Sequence, residues 1–98
     1  MTDWWATEDE IVNLAGVPAN VLRRGVEAGL FEGLAREVDG AYRYSPDAVA
    51  LIAWSDKLGD DVVAGRMSQG QAKKLLWRRA AQIRRRSAEL DRIAAARS

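Results

Sequence analysis

The chain contains no cysteine and no histidine. That removes disulfides, thiol nucleophiles, imidazole acid–base chemistry and every metal site built on Cys or His, and most enzyme classes go with them. Long apolar runs are also missing. With 48% hydrophobic and 30% charged residues the chain is too polar for a membrane span and too apolar for disorder. Neither an internal repeat nor a flexible linker interrupts it. The opening Met1-Thr-Asp-Trp-Trp5 has no basic region and no apolar core of a signal peptide, so a cytoplasmic location is the expectation. At 98 residues the core must be modest, and a long element left over is expected to pack on a partner.

What is present is a charge asymmetry hidden under a net +1. Residues 71 to 98 carry Lys73, Lys74, Arg78, Arg79, Arg84, Arg85, Arg86, Arg92 and Arg97 against Glu89 and Asp91, a net +7, which leaves the first seventy residues at −6. Such a split points to a polyanion partner for the tail, or to a tail docked on an acidic body.

Thr7-Glu8-Asp9-Glu10 fits a capping box, with three acids at the positive helix end, and predicts a helix over about 7–15 ended by Gly16. Ile11, Leu14 and Ala15 form its apolar stripe. Pro18 suits the first turn of a second helix, in which Val21, Leu22 and Val26 continue the apolar face up to Gly29. Gly25 inside that helix costs roughly 1 kcal/mol against Ala, and close packing is one reason for it. Asp39-Gly40 between residues 34–38 and 41–45 is a strong hairpin signal. In a two-residue turn Val38 faces Ala41, Glu37 faces Tyr42, Arg36 faces Arg43 and Ala35 faces Tyr44. Ser45-Pro46-Asp47 opens a core helix through Val49, Leu51, Ile52, Trp54 and Leu58 to Gly59. Ser68-Gln-Gly-Gln71 is a second capping-box pattern, and nothing after it breaks helix for about 28 residues. The expected fold class is mainly α with a small β-hairpin wing: a winged helix-turn-helix domain over 1–66 and a long basic C-terminal helix over 67–98.

Glu10-Ile-Val-Asn-Leu-Ala-Gly-Val17, Val21-Leu-Arg23, Glu27-Ala-Gly-Leu30 and Gly40-Ala-Tyr-Arg-Tyr-Ser45, followed by a helix, resemble the DNA-binding domain of the mercury-resistance regulator (MerR) family. Phage excisionases and the DNA-recognition small subunit of phage terminases are similar in this region. The resemblance covers about residues 5–58 and implies a second helix in the major groove with a wing against the backbone. Arg24-Gly25-Val26 stands where the family has two tyrosines and an acid, so the phosphate contacts of those tyrosines are not carried over. No effector domain follows residue 60, so ligand-controlled transcription is not implied, and a small architectural or phage-type DNA binder suits the length.

Asn20, Arg23 and Arg24 face outward on the second helix, with Ala19, if Val17, Val21 and Leu22 face the core. Asn pairs with adenine and Arg with guanine, and any of the three can instead hold a phosphate. Against this stands an ordinary solvated helix face. Arg36 and Arg43, opposed across the hairpin, repel one another unless an anion lies between or above them, or nearby Glu32, Glu37 or Asp39 neutralises them. Tyr42 and Tyr44 fall on the other face, for packing. Trp4, Trp5, Trp54 and Trp77 read as core and interface anchors. Asp60-Asp61 reads as a helix start rather than a metal site. No metal and no cofactor is expected.

In the last helix Leu76, Ala80, Ile83, Ser87, Leu90 and Ala94 alternate steps of four and three, a seam for self-association. Lys73, Lys74, Arg78, Arg79 and Arg85 would add phosphate contacts. The helix is therefore a homo-oligomerisation element, a basic arm along phosphates, or a helix packed on another protein. The leading expectation is a non-enzymatic duplex DNA-binding protein: a transcription regulator, an excisionase or a packaging subunit. The rival is a protein-interaction or assembly module, to which the −6 body lends support because a duplex repels it.

Overall fold

The computed structural model describes residues 5 to 97; Trp4 lies outside them. Seven elements follow in order: β1 (Ala6–Thr7), α1 (Glu8–Ala15), α2 (Ala19–Glu27), β2 (Ala35–Val38), β3 (Ala41–Tyr44), α3 (Pro46–Val63) and α4 (Gln69–Arg97). The fold is mainly α, with a small antiparallel sheet in the order β1-β3-β2 and a long C-terminal helix. Among the described residues no helix is long and apolar enough to cross a membrane.

Local chemistry sets most boundaries. Thr7 Oγ1 accepts from the Glu10 amide at 3.2 Å while the Glu10 carboxylate accepts from the Thr7 amide at 3.1 Å, which satisfies two donors at the start of α1. Gly16 ends that helix in the left-handed region at φ 69°. Ser68 and Gln71 repeat the same reciprocal pair at 3.1 Å before α4. Asp39 and Gly40 both take positive φ, so the hairpin closes in the register its sequence predicts, with Arg36 opposite Arg43 and Ala35 opposite Tyr44.

Several expectations are corrected. Leu14 is 75% exposed, because the buried sector of α1 runs from Ile11 toward Ala15 and Val12, and Leu14 lies on the opposite flank. Val21 is 46% exposed, and Ala19 turns inward instead, since α2 is phased on Leu22 with Val26 and Ala19 on one flank of it and Val21 about 100° away on the other. Pro18 is the N-cap of α2 rather than its first turn, and α2 stops at Glu27. The hairpin gains a third strand, as Ala6 pairs with Tyr44 and Thr7 with Arg43. Gly59 does not end α3, which continues to Val63. Asp60 and Asp61 consequently lie in the last turn of α3, against the helix dipole, and Arg66 reaches back to Asp61 at 2.9 Å to offset this.

The largest correction concerns α4. Ala80 is fully buried in the core with Leu22, Phe31, Leu34, Tyr44, Ala48, Leu51 and Ile52, and Leu76, Trp77 and Ile83 pack against it. Half of the expected oligomerisation seam, Leu76, Ala80 and Ile83, is thus spent on the chain's own body. Its remainder, Ser87, Leu90 and Ala94, lies further along the helix, with Leu90 52% exposed. A core this small gains more from covering itself with the helix than from leaving three apolar side chains in water.

Gly25 has a steric reason. A Cβ there would stand 2.7 Å from Cε2 of Phe31, a ring locked edge-to-face against Tyr44. Gly59, by contrast, has open space within 4 Å of its would-be Cβ. Gly25→Ala should therefore destabilise the protein by about 1–2 kcal/mol despite its better helix propensity, and Gly59→Ala should stabilise it by about 1 kcal/mol. Opposite shifts in urea midpoint are expected; shifts of the same sign would show that Phe31 yields to the added methyl.

Candidate nucleic-acid interface

On α2 the side opposite Leu22 presents Asn20, Arg23, Arg24 and Glu27 to solvent. The Ser45 amide donates to the Leu34 carbonyl at 2.8 Å and closes the base of the hairpin, β3 packs beside α1, and Tyr44 is fully buried in the core. That leaves Arg36 and Arg43 exposed on the opposite sheet face. Between the first turn of α1 and the hairpin lies a cleft of about 490 Å³, lined by Thr7, Glu8, Asp9, Arg23, Tyr42 and Arg43 among others.

Each cation near this cleft has local company. Arg23 donates from Nη2 and Nε to the Glu8 carboxylate at 3.2 and 3.4 Å, and that bond raises its pKa further. The guanidinium remains largely in solvent and Glu8 is mostly buried, so the contact orients Arg23 without removing it from the surface. Glu10 titrates below the ordinary carboxylate range, chiefly through its bond to the Thr7 amide, and the positive charge of Arg43 adds to this. Arg36 sits over the Trp5 ring at 4.2 Å, so a cation–π contact relieves part of the repulsion expected from Arg43. No anion is needed to hold Arg36 in place. The side chains of Asn20 and Arg24 are exposed and enter none of the side-chain hydrogen bonds or ion pairs among the described residues.

The α4 cations divide into two groups. Arg79 lies over Trp54 at 5.3 Å. Arg84, half-buried, donates to the Gly29 carbonyl at 2.7 Å and stands over Trp77 at 6.0 Å, which ties α4 to the segment after α2. Lys73, Lys74, Arg78 and Arg85 are exposed. The site residues inferred from sequence therefore form two sets: Arg23 and Arg43 share the cleft, with Asn20 and Arg24 on the same helix as Arg23 and Arg36 opposite Arg43, while the α4 cations lie elsewhere. Sequence reasoning missed Glu8 and Trp5. Nothing in the local pattern places a carboxylate against a guanidinium 15 residues away.

Among the described residues no group of three or more acidic, His or Cys side chains could hold a metal. Comparison with protein-family models, curated proteins and solved structures finds no match.

The Tyr44 hydroxyl is buried without a hydrogen-bond partner among the described residues. Burial pushes its pKa from about 10 up to about 12. Between those values the unfolded chain gives up a proton that the folded chain keeps, so stability should fall as pH rises from 10 to 12 and be unaffected by this group below that window. Tyr44→Phe should remove its share of the loss and stabilise the protein by about 1 kcal/mol at neutral pH. Urea unfolding at neutral and alkaline pH tests both, and a destabilised Phe variant at neutral pH would reveal a partner for the hydroxyl.

Proposed function

We propose that the chain is a non-enzymatic protein that binds double-stranded DNA, with the exposed face of α2 in the major groove and the hairpin on the phosphate backbone. The observation that carries this reading is the hairpin register: it sets Arg36 directly against Arg43 on the solvent face, beside the cleft that Arg23 of α2 shares. Two exposed guanidinium groups side by side, with Arg36 seated on the Trp5 ring, present donors that can hold one phosphate between them. Asn20 and Arg24, uncommitted on α2, are the side chains suited to base edges. The resemblance of residues 5–58 to MerR-type regulators and phage excisionases agrees with this use of the two elements. It is compatible with a regulator, an excisionase or a packaging subunit. The first turn of α1 counts against strong binding, since Glu8, Asp9 and Glu10 stand near the same cleft.

Leu14 and Val21 favour a second reading, in which α1 and α2 dock on a protein: 75% and 46% exposed, they are more apolar surface than phosphate contact requires. Duplex binding measured over a range of salt separates the two. Affinity should fall with a log–log slope of about −0.9 for each phosphate neutralised, and Arg36→Gln with Arg43→Gln should flatten that slope by about 1.8 on any sequence while the fold persists. Asn20→Ala should instead change which sequence is preferred. A flat salt response or no binding at low salt would overturn the duplex reading in favour of the protein-docking one.

A further inference from the structure

The outer side of α4 carries charge that no other part of the molecule uses. At about 100° per residue, Lys74, Arg78, Arg85 and Arg92 fall within about 40° of one another round the helix and roughly 120–160° from Ala80, the side chain that anchors α4 in the core. All four are exposed, and none enters an ion pair or a ring contact among the described residues, whereas Arg79 and Arg84 on the inner sides are held by Trp54 and by Gly29. At 1.5 Å per residue they form a straight ridge about 27 Å long. Glu89 flanks it, and Asp91 lies on the body side. At the start of the ridge Arg66 lines a shallow hollow with Lys74 and Arg78.

We propose that this ridge is a second duplex-binding surface, so that one chain holds two duplex segments at once. The inference rests on the reading of α2 and the hairpin as the first. A rod of four cations at steps of four, seven and seven residues, with Glu89 between the last two and a length of about eight base pairs of duplex, fits the phosphate backbone, which needs no base-specific geometry. It cannot serve the same segment as α2 by simple extension. The ridge points away from the core that α4 shares with Leu22, α4 packs on α3, and the exposed side of α2 points away from that core at Leu22. Four neutralised phosphates would add about −3.6 to the salt slope. Because the four side chains are exposed and enter none of the described ion pairs or ring contacts, they can be exchanged for Gln, a comparable helix former, without disturbing the core.

The test uses the full chain, a 20-base-pair duplex fixed to beads and the same duplex, fluorescently labelled, in solution. The wild-type protein is expected to retain the labelled duplex on the beads. The Lys74→Gln, Arg78→Gln, Arg85→Gln, Arg92→Gln variant, with unchanged circular dichroism, is expected to bind the fixed duplex but to lose at least ten-fold of the captured label. Equal capture by this variant and wild type would overturn the ridge and leave the α2 and hairpin reading intact. If the ridge variant binds no duplex at all, the failure lies in that first reading, and the two-duplex inference falls with it. Arg36→Gln with Arg43→Gln is the control: it should lower capture while binding in solution through the ridge persists, and undiminished capture would contradict two separate surfaces.

Discussion

Everything that could meet a ligand depends on where Phe31 meets Tyr44. The rings stand edge-to-face, 5.9 Å apart at 89°, and both are buried. Phe31 presses into α2 at Gly25, where a Cβ would collide with its ring, so the approach of α2 to the core is set by that ring. Tyr44 lies on β3, pairs with Ala6 on one side and Ala35 on the other, and draws the hairpin against the helices. Strand alternation does the rest: with Tyr44 inside, Arg43 must point out, and cross-strand pairing puts Arg36 beside it.

Charge is sorted by the same packing. Once Ala80 is buried, the helical period decides which cations of α4 turn toward the body, where Trp54, Trp77 and the Gly29 carbonyl receive them, and which stay outside. The acidic body is not simply neutralised by the basic helix. Glu32 approaches Arg84 at 4.0 Å, and the other ion pairs among the described residues, Glu8 with Arg23 and Asp61 with Arg66, lie within the first seventy residues. Exposed pairs of this kind contribute little to stability, so their value lies in holding side chains in position.

What the sequence made legible was local. Both capping boxes, the Gly16 turn and the hairpin register follow from residues within a few positions of one another, and so does the pairing of Arg36 with Arg43. The phases of α1 and α2 were misjudged at Leu14 and Val21 because helices of 8 and 9 residues hold too few apolar positions to fix which edge of the stripe is buried. The seam on α4 is apolar as its spacing predicts, but its first half, Leu76, Ala80 and Ile83, covers the chain's own core: periodicity identifies a face that wants cover without naming what covers it. Glu8 beside Arg23 and Arg84 beside Gly29, 55 residues apart, exist only once the tertiary fold does. In the candidate interface the cations could be named beforehand, but Trp5 and Glu8 could not.

The central claim is that α2 and the hairpin together face duplex DNA. Backbone amide chemical shifts of the isotopically labelled chain, followed while a short duplex is added, test it residue by residue. The account predicts progressive shifts at Asn20, Arg24, Arg36 and Arg43, with the buried residues of α3 such as Leu51 and Ile52 unmoved. Shifts restricted to α4, or a spectrum unchanged by the duplex, would contradict it.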